Sequence, residues 1–292
     1  MEQNQLAVQQ SNPQLAAIQN ALKGVNKSIQ AALKENAGTF NTSLMELITS
    51  DANLMKCNPT ALMAEAVKAA SLKLPLNKQL GYAYLVPYGT TPNLIIGYRG
   101  YLQLAMRTGQ YKNINADIVY EGELETKNKL TGEIALDGEK KSETIVGYFA
   151  HFETVNGFSK TLYMSIDEMA NYALTYSGSY AKKPANQKPT AENLMERAQQ
   201  QAQNGPEPGV GWWANFNAMA IKTVLRRLLS KYGFLSIEMM NALASDEPSA
   251  FSAQAIRDND NAQTPTVISV DKVMEEAQAE EVKEKEEEEA PI

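Results

Sequence analysis

The sequence predicts an α+β protein in which capped amphipathic helices are interspersed with short antiparallel hairpins. Two hairpin signals, Gly89-Thr-Thr-Pro92 and Asn156-Gly157, carry the strand half of that reading. Helical apolar spacing behind clear start signals at Asn58-Pro59 and Ser165 carries the other half. The chain of 292 residues is long enough to bury a core, and its 43% apolar content matches ordinary globular usage.

Residues 1–39 are rich in Gln, Asn and Ala, with few large apolar side chains, and predict a loosely ordered, flexible N-terminal arm. A folded core is expected over 40–245. Thr42 or Ser43 would cap a first helix carrying Leu44, Leu47 and Ile48. Asn58 as N-cap and Pro59 at the first helical position open a second, whose Leu62, Met63, Ala66, Val67 and Ala70 recur to about Leu72. Gly81–Tyr88 reads as a strand, Gly89–Pro92 as a turn, and Leu94–Gly97 as the returning strand. Tyr98–Arg107 is a short helix closed by Gly109.

Strands follow at Ile114–Tyr120, Ile145–Thr154 and, across Asn156-Gly157, Ser159–Met164. Ser165 with Glu168 has the spacing of a capping box. Residues 177–210 carry Gly, Pro, Lys and Gln without a steady period and read as a long mobile insertion, helical from Thr190 to Gln203. A helix from about Trp213 to Tyr232, stopped by Gly233, and a short helix from Ser236 close the core. Residues 246–292 end in Glu286-Glu287-Glu288-Glu289 and predict a disordered acidic C-terminal tail.

The formal charge of −7 would argue against a polyanionic partner, but its distribution reverses the inference. Residues 246–292 hold 14 acidic and 4 basic side chains, whereas residues 1–245 hold 20 and 23. The folded part is mildly basic, and local patches set the field a polyanion feels. No apolar run reaches the roughly 18 residues of a membrane span. The N-terminus shows no basic stretch leading into an apolar run, so no secretory signal is expected. The single cysteine, Cys57, suits a reducing cytoplasm and reads as a simple buried thiol.

The helix ending at Gly233 is the most informative segment. One side carries Ile221, Val224, Leu225, Leu228 and Leu229; the other carries Lys222, Thr223, Arg226, Arg227, Ser230 and Lys231. Four cations with no carboxylate among them repel at i, i+4, so an anion is their natural complement, or else neighbouring elements salt a solvated face. A second cluster is Tyr98-Arg99-Gly100-Tyr101 with Arg107, Tyr111 and Lys112. Cations neutralise phosphates and aromatic faces stack on bases, though the two tyrosines would equally anchor the helix to the hairpin. Lys182 and Lys183 in the insertion could close over a nucleic-acid backbone. His151 has no Cys or His partner in metal-ligand spacing, and no Gly-Lys-Ser/Thr phosphate loop is present. Asp117, Glu121 and Glu123 could hold Mg²⁺ in a nuclease, the weaker reading. The chain reads as a binder, not an enzyme, without a cofactor.

The block Leu74-Pro-Leu-Asn-Lys-Gln-Leu-Gly-Tyr-Ala-Tyr-Leu-Val-Pro-Tyr88 resembles the RecT family of phage-type single-strand annealing proteins. So do Ile96-Gly-Tyr-Arg-Gly-Tyr-Leu-Gln-Leu-Ala-Met-Arg-Thr-Gly-Gln-Tyr-Lys112, Val146-Gly-Tyr-Phe-Ala, Asn156-Gly-Phe and Met219-Ala-Ile-Lys-Thr-Val-Leu-Arg-Arg-Leu-Leu-Ser-Lys-Tyr-Gly233. The resemblance covers roughly residues 40–245, in order. It implies a small antiparallel sheet packed with helices, one of them long and basic, as in the wider single-strand annealing superfamily. It implies an ATP-independent protein that binds single-stranded DNA, oligomerises into rings or helical filaments, and pairs complementary strands in homologous recombination, holding the annealed duplex as well. DNA would lie in a basic groove crossing adjacent subunits. Tyr98, Arg99, Tyr101, Arg107, Lys112, Lys222, Arg226, Arg227 and Lys231 fall in matching blocks. Ile221 departs from the family by standing where a second lysine is expected, and the insertion 177–210 is longer than expected, which puts Lys182 and Lys183 in doubt. The family's usual companions imply a phage exonuclease and a host single-strand-binding protein as partners, in the cytoplasm of a bacterium or phage-infected host. The alternative is a nuclease-associated scaffold whose DNA binding is incidental.

Overall fold

Helical structure begins well before residue 40. The computed structural model describes residues 12–177, 180, 183–208 and 211–246. Its first element is α1, Pro13–Leu33, with the Asn12 side chain accepting from the Gln14 backbone and Pro13 in the first turn. The loosely ordered arm expected here is therefore a helix from residue 13 onward. Ile18 and Ile29 are wholly buried, and Ala21, Leu22, Val25, Ala32 and Leu33 pack against the same core. That set recurs at three- and four-residue intervals, so a single narrow apolar stripe suffices to seat an otherwise polar helix.

A single 3₁₀ turn, Lys34–Asn36, joins α1 to α2, Ala37–Ser50. The helix thus starts ahead of Thr42 and Ser43, the expected caps, because the 3₁₀ turn passes the chain directly into it. Thr42 instead donates from mid-helix to the Gly38 carbonyl (3.1 Å). Helix α3, Pro59–Ser71, has the expected start: the Asn58 side chain accepts from Ala61 N at 3.0 Å, and Pro59 sits in the first turn. Cys57 is buried, as anticipated.

Strands β1 (Ala83–Tyr88) and β2 (Thr91–Ile96) form an antiparallel hairpin turned at Gly89, whose φ of 65° is one that glycine adopts without strain. Ala83, Leu85, Leu94 and Ile96 are buried in the core. Helix α4 spans Tyr98–Arg107 and ends before Gly109.

A three-stranded antiparallel sheet, ordered β3-β6-β7, forms the second layer. Its strands are β3 (Tyr111–Tyr120), β6 (Ile145–Thr154) and β7 (Ser159–Ser165), the last two joined by the Asn156-Gly157 turn. One face lines up Ala116, Ala150 and Leu162, then Ile118, Tyr148 and Met164. The other lines up Asn115, His151 and Thr161, then Asp117, Phe149 and Tyr163. A small hairpin between β3 and β6, β4 (Thr126–Lys127) with β5 (Ile134–Ala135), has strands too short to show a period in sequence.

Helix α5 (Ile166–Tyr176) opens with the full capping box: Ser165 N donates to Glu168 and Glu168 N to Ser165. Helix α6 (Ala191–Asn204) occupies the middle of the stretch expected as an insertion, capped by Thr190. Helix α7 (Phe216–Tyr232) lies against the three-stranded sheet and also touches α4, α6 and α8 (Ile237–Asp246). Tyr148 donates to Asn217 Oδ1 at 2.6 Å, tying the sheet to the start of α7, and burial raises the tyrosine's pKa far above its ordinary value. The acidic tail beyond residue 246 lies outside the described residues.

Candidate nucleic-acid interface

The helical face expected to meet DNA is largely inside the protein. Lys222 is 9% exposed and Arg226 3% exposed, and Thr223 between them is also buried. Arg226 Nη2 donates to the Leu243 carbonyl at 3.2 Å. Helix α8, returning after Gly233, reaches that side of α7 and covers the part of the polar half that carries Arg226. Helical periodicity separates the two halves, but it does not say which neighbour will pack on the polar one.

The rest of α7's polar side is more open. The Arg227 guanidinium stands 5.2 Å from the ring centroid of Tyr172 and is half-buried. Lys231 is exposed, 5.5 Å from the ring centroid of Tyr232. It sits in the last turn, where a cation also complements the helix dipole. Lys160 Nζ lies 5.4 Å from that same Tyr232 ring, a neighbour that strand position alone did not reveal. Tyr111 Oη accepts from Phe234 N at 2.6 Å, which brings the start of β3, with Lys112, beside this end of α7. Lys160 and Lys231 therefore meet at the Tyr232 ring, while Lys112, on the strand that reaches the same end of α7, turns to Glu153.

The second predicted cluster divides. Tyr101 is 0% exposed and belongs to the core, so it offers no face for stacking. Tyr98 is half-buried; burial raises its pKa, the Asp117 charge adds to that, and a hydrogen bond with the Ala116 backbone opposes it. Arg99 is exposed, and its Nη1 donates to the Leu80 carbonyl at a long 3.4 Å. Lys112 is paired with Glu153 at 2.8 Å on the surface. Lys183 is exposed, and Lys182 lies outside the described residues.

Arg107 has a structural task. Helix α3 ends with Lys73 N donating to Ala70 O (2.9 Å) and Leu74 N to Ala69 O (3.1 Å), a Schellman pattern. The residue in the left-handed position is Lys73, at φ 53°, where glycine is usual. Arg107 donates to the Leu72 and Lys73 carbonyls at 2.7 and 2.8 Å, holding that strained turn. Arg107→Ala is expected to cost about 1–3 kcal/mol of stability, read as a lower urea midpoint. A loss of DNA affinity at unchanged midpoint would instead make Arg107 a phosphate contact.

Charge is segregated along the fold. From Ala66 to Ala116 the chain carries six cations and no carboxylate, through the end of α3, the β1–β2 hairpin, α4 and the first half of β3. From Asp117 to Glu143 it carries eight carboxylates and four lysines. The carboxylates considered for a metal are not gathered. Glu121 accepts from Ser142 (2.7 Å), Glu123 from Tyr120 N (2.7 Å), and Asp117 from Ile118 N (2.8 Å). Among the described residues no three His, Cys, Asp or Glu side chains converge. His151 Nδ1 lies 2.9 Å from Thr161 Oγ1 on the outer sheet face.

The RecT family model matches residues 38–267, most of the chain. This chain belongs to the RecT family. It is 36% identical over 247 residues to the uncharacterized protein YqaK of Bacillus subtilis (strain 168), covering 84% of this chain and 76% of that one. It is 27% identical over 209 residues to Protein RecT of Escherichia coli (strain K12), covering 66% of this chain and 65% of that one. The RecT-family assignment gives the chain a single-strand annealing role in DNA recombination. Helix α1 lies ahead of the matched stretch. Among the described residues no helix is long and apolar enough to cross a membrane.

Proposed function

We propose that this protein binds single-stranded DNA, assembles with further copies of itself, and pairs complementary strands without nucleotide hydrolysis. The observation that carries the reading is the family match over residues 38–267. The acid-free run from Ala66 to Ala116 supports it, because a polyanion meets no repulsion from that segment's own side chains. Arg99, Arg107, Lys112, Lys183 and Lys231 are the exposed members of the proposed phosphate-binding set, Arg107 also holding the turn after α3, and Arg227 is half-buried. Lys222, Arg226 and Tyr101 serve it from inside, by fixing the packing of α7 and α4. Exposed apolar side chains at Phe234, Leu235, Ile237 and Met240 offer self-assembly a surface.

Pairing is driven by the free energy of the duplex that forms, so the protein's task is to hold one strand extended with its base edges accessible. Binding should weaken steeply with salt. If four to six phosphates are neutralised per subunit, the log–log slope is roughly −3 to −4 across about 50–200 mM salt. A salt-independent affinity, or no acceleration of annealing in ATP-free buffer, would remove the reading.

A further inference from the structure

The outer face of the β1–β2 hairpin carries an aromatic feature that the phosphate contacts leave unused. The register places Tyr84 opposite Ile95, Val86 opposite Asn93 and Tyr88 opposite Thr91. Of the alternate residues, Ala83, Leu85, Leu94 and Ile96 are buried in the core, so these six share the opposite side. Tyr88 is 49% exposed, while Tyr84, Val86 and Ile95 are half-buried. Two tyrosines four residues apart on one strand stand about 13 Å apart along it.

Tyr84 and Arg99 converge on a pair of glycines. A Cβ on Gly81 would meet Tyr84 Oη at 3.4 Å and Arg99 Cδ at 3.6 Å, and one on Gly97 would meet Tyr84 Cε2 at 3.0 Å. The ring and the arginine stem thus flank Gly81, whose φ of 72° only glycine adopts readily. Arg99 is exposed here beside Leu80, itself 41% exposed. No carboxylate competes from within the hairpin or α4. Of the acids on neighbouring elements, Asp51 pairs with Lys78 (3.0 Å) and Glu65 with Lys68 (2.6 Å) and Leu94 N (2.9 Å), while Glu238 stands exposed on α8, which packs against β2 and α4.

We propose that this face is a nucleobase-stacking surface, on which single-stranded DNA lays one base against Tyr84, with the adjoining phosphate on Arg99, and another against Tyr88. The proposal deepens the DNA-binding reading above and rests on it. Stacking uses the π-face of a base, is tolerant of sequence, and leaves the hydrogen-bonding edge open to an incoming strand. An annealing protein needs those three properties together. A duplex, whose bases are already stacked on one another, cannot use the surface in this way. The face therefore favours the single strand before pairing over the product after it.

The test titrates wild type, Tyr84→Leu, Tyr84→Phe and Tyr88→Ala with oligothymidylate and with an abasic oligonucleotide of equal length. Wild type should bind oligothymidylate about five- to a hundredfold more tightly than the abasic strand. Tyr84→Leu and Tyr88→Ala should each lose much of that ratio while binding the abasic strand as wild type does. Tyr84→Phe, which keeps a ring, should retain the ratio. Equal binding of both probes by wild type overturns stacking while leaving phosphate binding intact. An unchanged ratio in both Tyr84→Leu and Tyr88→Ala places the stacking surface elsewhere and overturns the proposal for this face. Should Tyr84→Leu lose its far-ultraviolet circular dichroism, the exposed Tyr88→Ala decides alone. Failure of wild type to bind either probe would bring down the DNA-binding reading itself.

Discussion

Arg226→Glu is expected to destabilise the fold strongly, not to produce a protein of wild-type stability that has lost DNA. Arg226 is 3% exposed and donates to the Leu243 carbonyl, joining α7 to α8. A carboxylate in its place cannot donate, leaves that carbonyl without its donor, and puts a negative charge where water is excluded. Breaking a buried charged contact of this kind costs about 3–5 kcal/mol, or roughly 6–20 °C in Tm for a domain of this size. Lys222, one turn back, would face the new carboxylate at i, i+4, but such pairs return only about 0.2–0.5 kcal/mol on a helix surface. The loss of the α8 anchor dominates. Lys231→Glu is the control: that side chain is exposed, so Tm should hold while single-strand affinity falls. Arg226→Met, which keeps a long apolar stem, should melt below wild type yet bind DNA almost normally where it is folded. An Arg226→Glu protein that melts with wild type and fails only to bind DNA would return Arg226 to the interface.

The contrast between Arg226 and Lys231 marks the limit of what the sequence could disclose about the site. Both lie on the half of α7 that the apolar stripe leaves over, and both are cationic. Which is covered depends on where the chain goes after Gly233, and α8 settles that only by packing. Arg107 makes the same point. Its charge was visible, but its partners are two main-chain carbonyls more than 30 residues upstream, at a turn whose left-handed residue is a lysine. Tyr101 was read either as a stacking face, from the cations around it, or as an anchor seating its helix, and its burial fits the anchor. Its helix turns it fully inward.

Elements with local chemical punctuation were legible. Asn58-Pro59, Ser165 with Glu168, Asn156-Gly157 and Thr190 each place a boundary where it is found, because their hydrogen bonds close within four residues. Helix α1 was missed for the opposite reason. Its composition is polar, and its stability comes from two isoleucines 11 residues apart seated in the core, mainly against α3. Counting apolar residues hid a stripe that spacing would have shown. The β4–β5 hairpin, two residues per strand, carries no period for sequence to reveal.

Gly100→Ala should be among the most damaging of conservative substitutions, although helix propensity predicts the reverse. Gly100 lies in the first turn of α4, where alanine would ordinarily gain up to about 1 kcal/mol. Its missing Cβ, however, makes room for the hairpin. A methyl there would overlap the Tyr82 carbonyl oxygen and stand 2.8 Å from Ile96 Cγ2 and 3.2 Å from the Tyr82 carbonyl carbon. Two of those three atoms are main chain, so no side-chain rotation relieves the clash. Gly97, three residues earlier, faces the Gly81 carbonyl in the same way, and Gly97 N donates to Tyr82 O at 2.8 Å. The two glycines form a joint that seats α4 on the start of β1, and a methyl in either one forces the elements apart. Overpacking of this kind usually costs about 1–3 kcal/mol, and a main-chain clash belongs at or above the top of that range. The net expectation for Gly100→Ala is thus a loss of roughly 2 kcal/mol or more, seen as a lower urea midpoint. A midpoint at or above wild type would show that propensity outweighs the joint. Arg99 and Tyr84 are positioned by the same contact. The variant should therefore also lose preference for oligothymidylate over an abasic strand under conditions where its secondary structure persists.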